Sequence, residues 1–310
     1  MIKKLKNEPM NCENLEELFR SWQKEQEEEI DEIGRYINEK LGTSCIGEMF
    51  VKEYYKKKER KNTISSQFVP FFNKLDCLHC SRNKGELSSS DEAWKYVLKN
   101  AFNMDGCVGT LEVKSGFEYI FLLKEANDSK KSCIEDYPKF EEIIKCGMND
   151  DKYANANVNR WILDWMNNNV NADMLEKIRK AFSVFYEEDI SKEKLFELSA
   201  YMNVNKRGGT FVTLGYDENA VINYANRYKE YILREIQLLS KEKKEVHVFV
   251  CGGKKYFEKL MEAIEIKKNE LNRYELQFEK TRITFVSIPH PSGRVTIDTL
   301  AKRMKVNGTG

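Results

Sequence analysis

At 310 residues the chain can bury one large core or a core plus an accessory piece, and its 33% charged and 12% aromatic residues with five Pro exclude a disordered chain. A net charge of +1 carries no global sign of nucleic-acid binding. No apolar run is long enough to span a bilayer, and the Met1-Ile-Lys-Lys-Leu-Lys6 start lacks the apolar core of a signal peptide, so a cytoplasmic protein with no membrane partner is expected.

Residues 13 to 41 carry Leu15, Leu18, Phe19, Trp22, Ile30, Ile33, Ile37 and Leu41 at helical spacing, which predicts one long amphipathic helix or two with a break. Residues 51 to 61 continue as a charged helix, and residues 62 to 91 read as a linker or irregular wrap. Residues 1 to 90 are therefore expected to form a helical accessory region ahead of an α/β domain over residues 91 to 310. Within the first region, Cys77-Leu-His-Cys80 has the spacing of two ligands on one metal or cluster. The other six cysteines are single and widely separated, so no metal or cofactor is expected and the thiols read as reduced.

Ser89-Ser-Asp-Glu92 is a capping box that opens a helix over residues 93 to 102. Residues 117 to 124 form a short run of β-formers, read as a buried strand ending in the polar cluster Glu125-Ala-Asn-Asp-Ser129. Helices are expected over residues 155 to 167, 172 to 187 and 191 to 196. A second strand over residues 198 to 205 runs into Lys206-Arg-Gly-Gly209, and a long helix covers residues 217 to 239. A third strand, residues 246 to 251, ends in Gly252-Gly253 and is followed by a helix over residues 255 to 266. The last strand begins at Ile283 and enters the turn His290-Pro-Ser-Gly-Arg294, and residues 297 to 304 close the chain as a helix. Strands alternating with helices predict a central four-stranded parallel sheet covered on both faces.

Each of those four strands ends in something polar or Gly-rich, where ligands bind in open α/β sheets. The collected groups are Glu125, Asn127 and Asp128, then Asn203, Lys206 and Arg207, then Gly252, and finally His290, Ser292 and Arg294. An Asn amide matches one edge of a pyrimidine, a His hydrogen bond stabilises charge on a leaving group, and a carboxylate positions water. Ser and backbone groups beside Gly grip phosphate. These are the needs of N-glycosidic bond cleavage in a nucleotide, and they serve a nucleotide-binding protein equally well. Lys124 or Lys206 attacking the sugar carbon would instead give lyase chemistry, although a Lys beside phosphate is more often a counter-charge.

Lys124-Glu-Ala-Asn-Asp128, Tyr201-Met-Asn-Val-Asn-Lys206, Val248-Phe-Val-Cys-Gly-Gly253 and His290-Pro-Ser-Gly-Arg294 resemble, in order, the motifs of the uracil-DNA glycosylase superfamily over residues 90 to 305. The resemblance implies DNA as partner and His290 as the group that stabilises the departing base anion. It implies Glu125 as first choice for positioning water, with Asn127 and Asp128 behind it, and Asn203 as reader of a pyrimidine edge. Ser292, Arg294, Lys206, Arg207 and Gly252 would hold DNA phosphate. For the aromatic that stacks on the base, Tyr137 and Trp161 are the candidates. Many relatives have Gly at the position of Lys124 and Pro at that of Asn127, which leaves the base open between a deaminated pyrimidine and a bulkier modified one such as foreign DNA carries. The alternatives are a non-catalytic nucleic-acid or nucleotide sensor that keeps the fold, and an enzyme acting on a free nucleotide.

Overall fold

The computed structural model describes residues 9–26, 28, 105–106, 112–127, 162, 165–168, 172–209 and 215–305. In chain order these form helix α1 (residues 15–26), strand β1 (Tyr119–Asn127), helices α2 (Asp173–Tyr186) and α3 (Lys192–Leu198), and strand β2 (Ser199–Gly209). Helices α4 (Gly215–Arg227) and α5 (Lys229–Leu239), strand β3 (Glu245–Cys251) and helix α6 (Lys254–Ala263) follow. Strands β4 (Tyr274–Phe278) and β5 (Thr281–Ile288) and helix α7 (Ile297–Lys305) complete the fold.

The sheet has five strands in the order β2-β1-β3-β5-β4. The four expected strands are present and pair in parallel. The fifth, β4, was not expected; it pairs antiparallel with β5 across a two-residue turn in which Glu279 has φ 48°. Its Tyr274-Glu-Leu-Gln-Phe278 alternates apolar and polar residues, the period of a half-covered strand, but is only five residues long.

Strand alternation sends successive side chains to opposite faces, and each face is covered by its own helices. Ile120, Leu122, Ala200, Met202, Val204, Val246, Val248, Val250, Ile283 and Phe285 pack against α1, α4, α5 and α6. Tyr119, Phe121, Leu123, Tyr201, Phe249, Cys251, Val286 and Ile288 pack against α2, α3 and α7. The single helix expected over residues 217 to 239 is two, broken at Tyr228, whose φ −109° and ψ 24° leave the helical region.

Helix α1 belongs to the same core as the sheet: Leu15, Leu18, Phe19 and Trp22 are fully buried, and Trp22 packs its ring on Tyr224, Tyr228 and Tyr231 at 5.2–6.2 Å. The beginning of the N-terminal region is thus built into the α/β body. The rest of that region, with Cys77, Cys80 and the capping box, lies outside the described residues. No helix among the described residues is long and apolar enough to cross a membrane.

Candidate active site

From β1 the chain passes to β2 on one side and then back across to β3 on the other, which makes the carboxyl end of β1 a topological switch point, the place where open α/β sheets form a ligand-binding crevice. Register sets the height of each strand end. Leu122 pairs with Val250, Val250 with Ser287 and Cys251 with Ile288, so Glu125, Gly253 and His290 all lie past the last shared rung at the same end of the sheet. Glu125 also pairs with Asn205, and Leu123 with Asn203. The backbone positions at 125, 203 and 290 therefore share one end of the sheet.

His290 follows β5 in a turn closed by the Gly293 N–H donating to the His290 carbonyl at 2.9 Å. Its Nδ1 lies 3.3 Å from the Ser292 backbone N–H and 2.6 Å from the Ser292 Oγ. A backbone N–H only donates, so Nδ1 is an acceptor and the ring hydrogen of the neutral imidazole sits on Nε2. Burial, and then the positive charge of Lys124, push the imidazole below its usual range, so it is neutral at pH 7. The result is an uncharged Nε2–H donor with no partner among the described residues. Ser292 plays a different part from the expected one: its one O–H is directed at Nδ1 and leaves no hydrogen for a phosphate. Arg294 is exposed, consistent with a group that meets a ligand from solvent. Lys177 of α2 tethers the turn by donating to the Gly293 carbonyl at 3.0 Å.

Lys124 leaves β1 on the opposite face from Leu123 and lays its ammonium over the Tyr256 ring, 4.5 Å from the centroid. Gly252 explains the path. A Cβ there would stand 2.4 Å from Tyr256 Cδ1 and 3.1 Å from Lys124 Cε, so only glycine lets β3, Lys124 and Tyr256 meet. Gly252 is thus a packing position, and its backbone N–H donates to the Ile288 carbonyl at 3.1 Å instead of facing a phosphate. Exchanging Lys124 for glutamine is expected to move the His290 pKa upward toward 6.5, followed by NMR of the imidazole carbon-bound protons. No movement would mean that the ammonium does not act on the ring.

The end of β2 differs most from expectation. Between Glu125–Asn205 and Asn127–Gly209 the register slips by two residues, a bulge of the kind found at sheet rims. Lys206 sits in it with 0% exposure, its ammonium bonded to Asp105 and, at 2.9 Å, to Glu235 of α5, which are also sealed from solvent. It lies 5.4 Å from the Trp22 ring centroid and 5.5 Å from that of Phe19. Lys206 therefore meets neither phosphate nor a sugar carbon. Asp105 also accepts from the backbone N–H and the side-chain Nδ2 of Asn203, both at 2.9 Å, while Asn203 Oδ1 is buried without a partner among the described residues. One N–H of that amide is therefore held by Asp105, and the residue is buried.

One ammonium faces two carboxylates, so the cluster cannot keep both of them charged cheaply. Burial and the Asp105 charge hold Glu235 well above the usual carboxylate range, against the opposing pull of Lys206. For Lys206, burial lowers the ammonium's pKa and the two carboxylates more than reverse that. A folded-state Glu235 pKa above 4.5 means stability is full below the unfolded value and falls as pH rises through the folded one. The variant Glu235→Gln is expected to remove that fall in melting temperature between pH 5 and pH 8. Parallel curves for variant and parent would refute the protonated carboxyl.

The side chains of Glu125, Asn127 and Arg207, and all of Asp128, Tyr137 and Trp161, lie outside the described residues. Four residues of this region escaped sequence reasoning: Asp105, Glu235, Lys177 and Tyr256. Asp105 stands 98 and 101 positions before its partners, and nothing local signals such a pairing. Glu235 was hidden as an acidic residue within an amphipathic helix, although it sits between the buried Ile232 and Ile236. No protein family, curated protein or solved structure matches the chain.

Proposed function

We propose that the chain is a DNA glycosylase that hydrolyses the N-glycosidic bond of a flipped-out deaminated or modified pyrimidine. The observation that carries this reading is the neutral His290 ring, with Nδ1 tied down by Ser292 and the Nε2–H donor without a partner among the described residues, at the switch-point end of a parallel sheet.

Cleavage of that bond leaves positive character on the sugar and negative charge on the departing base. A neutral imidazole N–H aimed at a base oxygen strengthens its hydrogen bond as that oxygen becomes anionic, so it favours the transition state over the bound substrate. Lys124, close enough to lower the His290 pKa, adds positive charge to the same side of the crevice. Glu125, at the end of β1 on the same end of the sheet as His290, is the group proposed to orient water toward the sugar carbon. Asn203, oriented by Asp105, has an amide oxygen without a partner among the described residues and a second N–H, and is the group proposed to read the edge of the base. Taking the nucleotide out of its stack costs a few kcal/mol in duplex and less for damaged or single-stranded DNA.

The test is a screen of oligonucleotides carrying uracil and other modified pyrimidines, with free base detected by mass spectrometry. Release of one of them supports the glycosylase. Salt-sensitive binding with no release from any substrate would make the chain a sensor instead, and release from free nucleotides alone would make it a nucleotide hydrolase.

A further inference from the structure

Beside the crevice, on the far side of β5, lies a second cleft of about 400 Å³ walled by α6, the segment from Lys268 to Tyr274, β5 and α7. Its charged residues are Lys254, Lys268, Arg273 and Arg303 against Glu258 alone. Lys268 and Arg273 have no carboxylate partner among the described residues. Lys268 holds its ammonium 5.4 Å from the Tyr274 ring centroid, and Tyr274 meets Phe257 edge to face at 5.0 Å.

The loop that carries these cations is braced. Asn269 Oδ1 accepts from the backbone N–H groups of Leu271 at 3.0 Å and Arg273 at 2.9 Å, and its Nδ2 donates to Glu275 at 2.7 Å. Strand β5 adds a polar wall. Its pairing with β4 ends at Tyr274–Phe285, and because Ile288 turns its carbonyl toward β3, the backbone of Ser287 faces the cleft past the end of β4. One open residue is too short an edge to template another strand. Net positive charge, aromatic walls and this volume suit a phosphodiester with its sugar or base.

Gly253 and Pro289 line the cleft, and they adjoin Gly252 and His290 in the crevice. We propose that this cleft is the subsite for the nucleotide next to the one held at His290, with Lys268 and Arg273 as its phosphate contacts. The assignment to a flanking nucleotide rests on the glycosylase reading. Phosphate contacts of this kind fix register along the strand without reading sequence.

The experiment is fluorescence anisotropy of a labelled single-stranded 12-mer over a range of salt, comparing the full chain with the double variant Lys268→Ala/Arg273→Ala. Thymidine monophosphate serves as the short probe and a poly-glutamate of matched charge as the acidic-peptide probe. The variant, with its parent's melting temperature, is expected to bind the 12-mer about tenfold more weakly. Its salt slope should be smaller by about 1.4, from two contacts at about 0.7 each. Its affinity for the monophosphate should be unchanged. Equal 12-mer affinities, a parent chain that binds no 12-mer, or poly-glutamate bound as tightly as DNA would each overturn the subsite. Base release with equal 12-mer affinities would sink the subsite and leave the glycosylase standing; weakened 12-mer binding without base release from any substrate would do the reverse.

Discussion

Replacing Lys206 by methionine is expected to destabilise the fold by about 3–5 kcal/mol, a large part of the roughly 5–15 kcal/mol that holds a typical domain together. Methionine fills much of the same space against Phe19 and Trp22, so the packing loss is small. What remains is electrostatic: two carboxylates, Asp105 and Glu235, sealed from solvent with the ammonium between them removed. The cost is that of an uncompensated buried charge and says nothing of the net worth of the intact cluster against an apolar one. Adding Asp105→Asn to the methionine variant is expected to recover part of the loss, because the carboxylate charge left stranded beside the protonated Glu235 is then gone. Urea unfolding at pH 7 measures both, and a loss below about 1 kcal/mol for Lys206→Met would show the cluster to be wet. The effect reaches the crevice, because Asp105 also orients the Asn203 amide.

The second large effect is on chemistry. His290→Ala removes the one neutral ring donor found at the strand ends among the described residues and is expected to slow base release by about 10²- to 10³-fold, the usual cost of deleting one preorganised donor to a developing anion. Binding of DNA should change little, since the hydrogen bond counts most when the base becomes anionic. Among the described residues the imidazole makes no ion pair, and both of its hydrogen-bond contacts are to Ser292 within the same turn, so the variant should fold. A rate within a few-fold of the parent would remove His290 from the mechanism.

The α/β architecture was legible because its strands are short apolar runs bounded by helices of clear period, and the termini of β3, α2 and α7 fall within two residues of their expected positions. Strand β4 was not, since five residues with one partly covered side carry too little pattern. Nor was the break at Tyr228, where the apolar stripe runs on through both helices and only the backbone changes. At the site, the order of the strand ends was readable, because a polar or Gly-rich turn after an apolar run is a local signal. The fate of Lys206 was not, since a lysine beside Arg207 looks solvated until a distant aspartate and a helix glutamate enclose it. The same holds for Ser292 and Gly252, whose hydroxyl and missing Cβ serve neighbours within the protein, on His290 and Tyr256.

Single-turnover release of free base from modified-pyrimidine DNA, followed by mass spectrometry with excess protein, is the most direct test of the crevice as a catalytic centre. The account predicts one base released at a rate that collapses in His290→Ala. Bound DNA that keeps every base through the time course, across the whole substrate set, would contradict it.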